Sequence, residues 1–305
     1  MASLSSQSHS GAARPDDADR CDVVISSRRN PLVGRLRQLH EARGRCEQGC
    51  LLLEGTHLLE EALQLGLKPE LLLATPAWIG RHQPLLALLP ASSQLRQAEP
   101  AVLEAAATTR SPDGVLAVLP TPRPQLPARG ATFVLALDRI QDPGNLGTLL
   151  RTALAGGVEA AWICAGADPL QPKVLRASSG AALALPLERL EAGALPQRLS
   201  AARQRGLNVV AAVLPGPSWP DPIPYWQYDW RNPTVLVLGN EGAGLDAALR
   251  PLVNAALTIP HTPAVESLNV AVAAAPLLLE RWRQAAGGGA VRAAATPAGN
   301  RPSTG

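Results

Sequence analysis

The chain has 305 residues, 46% of them hydrophobic and 17% charged, with a net charge of +3. That length is too great for one small core and predicts two domains. No apolar run reaches the roughly 18–20 residues of a membrane helix, and a charge so near neutral does not by itself mark a nucleic-acid binder.

Residues 1–20 are rich in Ser and Ala, with no apolar stretch, so they are expected to be a disordered tail and not a secretory signal. From residue 21 to 120, helix and strand alternate. Helices are expected at Pro31–Arg43, Thr56–Leu65, Pro84–Leu89 and Pro100–Thr108, and strands at Cys50–Leu53, Leu71–Ala74 and Val115–Leu119. Between Ser26 and Cys46 six arginines (Arg28, Arg29, Arg35, Arg37, Arg43 and Arg45) stand against the single acid Glu41. Lysine occurs only at Lys68 and Lys173. Arginine forks onto phosphate and stacks on bases, so the run suits an RNA backbone, with Arg28, Arg29, Arg35 and Arg37 as the candidate contacts. A solvated helix face is the plain alternative. Cys21, Cys46, Cys50 and Cys164 show no zinc-ligand pairing and read as reduced thiols of a cytoplasmic protein, so no metal is expected.

Residues 121–130 hold three prolines and a glycine without apolar pattern and form the expected linker. Alternation restarts over 131–284, which is expected to be a second domain. Strands are expected at Phe133–Leu137, Ala160–Cys164, Val209–Leu214, Thr234–Leu238 and Leu257–Ile259. Helices are expected at Leu146–Ala155, Pro172–Ser178, Pro196–Arg205, Leu245–Leu252 and Leu268–Arg283. This is the pattern of an α/β fold with a parallel sheet. Between Trp219 and Trp230 fall Trp219, Tyr225, Trp226, Tyr228 and Trp230, alternating with Pro220, Pro222 and Pro224. The stretch reads as a stiff lid packed on the protein, with base stacking as the alternative. Residues 285–305, rich in Ala, Gly and Pro, are expected to be a second disordered tail.

Three segments share a strand–loop–helix build. The first carries Asn145-Leu146-Gly147-Thr148-Leu149-Leu150-Arg151, the second Leu238-Gly239-Asn240-Glu241-Gly242, and the third Ile259-Pro260 followed by Ser267-Leu268-Asn269. In order and spacing they resemble the signature motifs of the SpoU/TrmH family, RNA ribose 2′-O-methyltransferases of the SPOUT class. Asn30-Pro31-Leu32-Val33 and Leu52-Leu53-Glu54-Gly55 resemble the substrate-binding domain often fused ahead of that catalytic domain. The resemblance implies a carboxy-terminal SPOUT sheet with a trefoil knot, preceded by a small α/β domain like a ribosomal protein. It also implies S-adenosylmethionine as cofactor, RNA as substrate (rRNA preferred, tRNA the alternative) and a homodimer.

By the same resemblance the cofactor rests on Leu238, Gly239, Asn240, Gly244, Ile259, Pro260 and Leu268, largely through backbone groups. Small residues suit this role because they let a ligand approach the backbone closely. Arg151 is assigned to the target hydroxyl. A guanidinium keeps its proton above pH ~12, so it serves better as a donor to developing charge than as a base. Asn145 would position the ribose or Arg151, and Glu241 would anchor the guanidinium. Ser267 is expected either to cap the last helix or to serve the site, and Asn269 to serve the site. Two features depart from the family: Pro263 stands where a glycine is common, and Pro276 should cost about 3 kcal/mol or kink its helix. The glycines at 239, 242 and 244 do not fit Gly-x-Gly-x-x-Gly, which counts against a dehydrogenase. A non-catalytic RNA-binding or ribosome-assembly protein on the same fold is the rival reading, and the presence of Asn145, Arg151, Glu241 and Asn269 together speaks against it.

Overall fold

The computed structural model describes residues 23–287. The expected tail over 1–20 lies outside them, as do Cys21 and residues 288–305. The amino-terminal half runs α1 (Pro31–Gln38), α2 (Ala42–Gln48), β1 (Cys50–Glu54), α3 (Thr56–Gln64), β2 (Leu71–Ala74), α4 (Pro76–Arg81), α5 (Gln83–Leu86), β3 (Gln94–Gln97), α6 (Pro100–Ala106) and β4 (Val115–Pro120). Its four strands form a mixed sheet in the order β1-β4-β2-β3. Asn30 caps α1 by accepting from Leu32 N, with Pro31 at the first helical position where its missing N–H costs nothing.

The single helix expected over Pro31–Arg43 is instead two. A Cβ at Gly44 would lie 2.0 Å from the Gln38 carbonyl oxygen, so α2 folds back onto the end of α1 at a distance only glycine permits. This turn buries Arg45.

No helix or strand occurs over 121–130. The carboxy-terminal half runs β5 (Phe133–Asp138), α7 (Pro143–Ala155), β6 (Ala160–Cys164), α8 (Pro172–Ala177), α9 (Ala181–Ala184), β7 (Leu187–Leu190), α10 (Leu195–Gln204), β8 (Asn208–Ala212), β9 (Ile223–Pro224), β10 (Thr234–Leu238), β11 (Ala255–Thr258) and α11 (Val270–Gly287). Its seven strands pair in the order β7-β6-β5-β10-β8-β11-β9, and every pair is parallel. One face is covered by α10 through Leu195, Leu199 and Ala202, the other by α7, α8 and α11 through Leu149, Leu175 and Leu277. Strands buried on both faces read as continuous apolar runs, as β5 and β10 do.

Three expectations near the carboxy terminus are corrected. Leu245–Leu252 is not an α-helix; residues 247–252 form a 3₁₀ turn capped by Asp246 and holding Pro251. The last helix begins at Val270 instead of Leu268, and it runs through 285–287, where a tail was expected. Pro276 lies inside it without ending it. Trp230 is fully buried, edge-on to Phe133, and its indole N–H donates to the Tyr225 carbonyl at 2.8 Å. This end of the aromatic stretch therefore packs on the protein, as a lid would.

The two sheets share one hydrophobic cluster, in which Leu51 and Leu53 of β1 join Leu175 of α8 and Leu183 of α9. Polar clamps flank it. The buried Glu54 carboxylate accepts from Arg176 Nη1 at 2.7 Å, Thr108 N at 2.9 Å and Thr108 Oγ1 at 2.7 Å. Arg45, 6% exposed, pairs with Asp168 and also donates to the Leu39 and His40 carbonyls.

Candidate active site

The chain leaves β5 toward β6 and β7 in one direction and later builds β10, β8 and β11 in the other. Ligands of open α/β sheets bind at such a reversal, outside the carboxyl ends of the strands. In β5 and β10 Leu137 is level with Leu238, so the loops after Asp138 and after Leu238 emerge side by side. The buried Asp138 carboxylate ties them together. It accepts from Arg139 Nε and Nη2 at 3.1 and 3.0 Å and from Asp246 N at 3.1 Å. Arg139 sits at φ 59°, which turns its carbonyl to accept Asn240 Nδ2 at 2.9 Å.

The loop after β10 folds on itself. Asn240 N and O pair with Gly244 O and N at 3.1 and 3.0 Å, while Asn240 Oδ1 accepts from Gly242 N and Ala243 N at 2.9 Å. A Cβ on Gly239 would stand 2.5 Å from the Gly244 carbonyl carbon. Gly239 is therefore required by its own loop, not by space reserved for a ligand. Gly242 is different: a Cβ there meets only Asn240 Oδ1, at 3.7 Å.

The three motifs meet in one hydrogen-bonded chain. Asn269 Nδ2 donates to Asn145 Oδ1 at 3.0 Å, and Asn145 Nδ2 donates to Glu241 Oε1 at 3.1 Å. Asp142 fixes Asn145 from below by capping α7 through Asn145 N at 2.8 Å. Burial works against the Glu241 carboxylate, but hydrogen bonds from Asn145 and from the backbone of 241, 141 and 142 outweigh it, holding its pKa below the ordinary value. It is an anion at neutral pH. Asn269 Oδ1 accepts from Ala271 N and Val272 N at 2.9 and 3.2 Å, so Asn269, and not Ser267, caps the last helix.

These residues border a cleft of about 750 Å³. Leu238, Gly239, Asn240, Glu241 and Gly244 line it, as do Ile259, Leu268, Asn145, Ser267 and Asn269. Pro260 does not, and is exposed. Trp219, Ser218 and His261 also line it, although the motifs gave no reason to single them out. Only the three-dimensional pairing of β8 beside β10 brings the first two there. Arg151 is absent from the lining. It lies on the exposed side of α7 with no hydrogen bond or ion pair among the described residues, and Glu241 is engaged by Asn145 and not by its guanidinium.

Of the arginine run, Arg28, Arg29 and Arg37 are exposed without ion pairs among the described residues. Arg35 pairs with Glu70 at 2.7 Å and bonds Gln48. Arg45 belongs to the inter-sheet clamp. No group of three or more His, Cys, Asp or Glu among the described residues could hold a metal, and no helix among them is long and apolar enough to cross a membrane.

Residues 132–279 match the SpoU rRNA Methylase family, and residues 30–117 match the MRM3-like substrate binding domain. An uncharacterized tRNA/rRNA methyltransferase of Synechocystis is 44% identical over 85% of this chain and 93% of its own length. The chain belongs to the SpoU rRNA methylase family. The 23S rRNA (guanosine(2553)-2′-O)-methyltransferase RlmP of Bacillus subtilis is 34% identical over 83% of this chain and 97% of its own length. The crystal structure of an AdoMet-bound rRNA methyltransferase from Sinorhizobium meliloti superposes with a TM-score of 0.70 at 30% identity, covering 86% of this chain and 97% of that one. The family's α/β fold with a parallel sheet, and its use of S-adenosylmethionine, stand on this likeness.

Proposed function

We propose that this chain methylates a ribose 2′-hydroxyl of 23S rRNA, with S-adenosylmethionine as donor. The observation that carries the reading is the Asn269–Asn145–Glu241 chain, which joins all three motifs at the rim of one cleft. The cleft suits the cofactor: its volume lies within the usual range for small-molecule sites, its walls include Leu238, Leu257, Ile259 and Leu268, and the backbone is open at Gly242 and Gly244. The bound cofactor supplies an electrophilic methyl group on a sulfonium. Leu238, Gly239, Asn240, Gly244, Ile259 and Leu268 would hold it, and Pro260 would serve only to stiffen the turn.

Asn145, fixed by Asp142 and Glu241, positions the ribose. Ser267 offers a hydroxyl beside it, and Asn269 sets the orientation of the Asn145 amide. Arg151, outside the cleft, donates to an RNA phosphate or to the developing alkoxide at the mouth of the site. Arg28, Arg29, Arg37 and, secondarily, Arg35 supply affinity for the RNA backbone. Residues 21–120 form the substrate-binding domain, resembling small ribosomal RNA-binding proteins, and 131–284 the catalytic one, with 121–130 between them. The segment after β10 closes as the trefoil knot of the SPOUT class, returning α11 to α7. Val272 (62% exposed) and Leu279 (46%) on α11, with Leu154 on α7, leave an apolar face that a homodimer would bury in the cytoplasm. The test is incubation of the full chain with unmodified rRNA and methyl-labelled S-adenosylmethionine, mapping ribose methylation by resistance to alkali. Label at a single ribose is expected; label on a base, or none, would refute the reading.

A further inference from the structure

Trp219 lies in the long connection between β8 and β9, far from every motif, yet it lines the cleft. Two backbone hydrogen bonds with Gly216, at 2.9 and 3.0 Å, close the tight turn that carries it. The Arg250 guanidinium stands 5.7 Å from its ring centroid and braces the indole. The ring is thus half-buried and held in place. Among the described lining residues it is the only large aromatic ring; the other apolar walls are aliphatic. Asn145, on the helix after β5, and Trp219, in the loop after β8, line the same cleft from the two strands that flank β10. The methyl-bearing sulfur must sit near Asn145, where the ribose arrives, so the other end of the ligand extends toward Trp219.

We infer that Trp219 is the stacking wall for the cofactor's adenine. This inference rests on the cleft being the S-adenosylmethionine seat. A flat, polarisable indole matches a purine face in a way the leucines opposite cannot. The bracing by Arg250 means that little side-chain freedom is lost when the base stacks.

The test is calorimetry on the full chain with S-adenosylmethionine and with S-adenosylhomocysteine, which keeps the adenine but has a neutral sulfur. Trp219→Ala should weaken both ligands equally, by roughly 5- to 150-fold, the loss typical when one base-stacking ring is removed. Trp219→Phe should keep both within about threefold of the natural protein. A loss confined to S-adenosylmethionine would place the indole against the sulfonium and overturn the assignment to adenine. Unchanged affinity in the alanine variant, or an equal loss in the phenylalanine variant, would overturn stacking altogether. If the unsubstituted chain bound neither ligand, the cofactor seat itself would fail, an outcome distinct from all of these.

Discussion

Asn269→Ala removes the oxygen that accepts from the Ala271 and Val272 amides at 2.9 and 3.2 Å, together with the nitrogen that reaches Asn145 at 3.0 Å. Loss of an N-cap costs about 1 kcal/mol, and one net hydrogen bond adds about 0.5–1.5 kcal/mol. Both groups are exposed, so a total of about 1–2 kcal/mol is expected, seen as a Tm lower by roughly 2–8 °C. Asn269→Asp separates the two roles. The carboxylate caps as well as the amide and suits the helix dipole, so Tm should stay within about 2 °C. It offers no N–H to Asn145, however, and places oxygen against oxygen. The Asn145 amide then loses its fixed orientation, and methyl transfer should fall on the order of 100-fold, as misplacement by about 1 Å does elsewhere. Thermal melts paired with single-turnover transfer to saturating RNA measure both effects. Wild-type transfer by the aspartate variant would refute the claim that Asn269 works through Asn145; an unchanged Tm in the alanine variant would refute the capping argument.

Arg151→Ala should leave Tm and cofactor affinity unchanged, because the side chain is exposed and has no hydrogen bond or ion pair among the described residues, while single-turnover transfer drops about 100-fold. Arg151→Lys should rescue it poorly, since a point charge cannot reproduce the fork. Gly239→Ala should disrupt the loop and lower both Tm and cofactor binding, whereas Gly242→Ala, free of a clash, should keep Tm and weaken only the cofactor in calorimetry. Gln in place of both Arg28 and Arg37 should weaken RNA binding and flatten its dependence on salt, read by filter binding across a salt series. By contrast, Arg45→Gln should cost about 1.5–3 kcal/mol in urea unfolding, because it removes a buried charge-assisted bond to Asp168, which keeps its second partner Arg189 at 3.3 Å.

The motif residues were legible because a site assembled from loops at strand ends leaves its letters in the chain. Leu238, Gly239, Asn145 and Asn269 stand out in the sequence alone. What Asn269 does was less legible. An asparagine at a helix start is as good a cap as the serine two residues before it, and only the observed bonds decide between them. The central strands β5, β6 and β10 were plain as apolar runs buried on both faces. The strands β3 (Gln94–Gln97) and β7 (Leu187–Leu190) lie at sheet edges and carry polar residues such as Arg96 and Glu188, so no apolar run announces them. Arg45 was indistinguishable in sequence from its exposed neighbours because its burial depends on Asp168, more than a hundred residues away. Trp219 stands out in the aromatic stretch, but its place on the cleft does not, because it is set by a strand pairing that no local pattern encodes.

Glu54 ends a strand of the first sheet, and Arg176 ends a helix packed on the second. With Arg45 on Asp168 and a continuous apolar cluster between, the two halves meet as one solid body despite the proline-rich stretch that joins them. On the proposed function, RNA gripped by the amino-terminal half would be held at a set distance from the cleft, and the fold would act as a gauge for where along the folded RNA the target ribose lies.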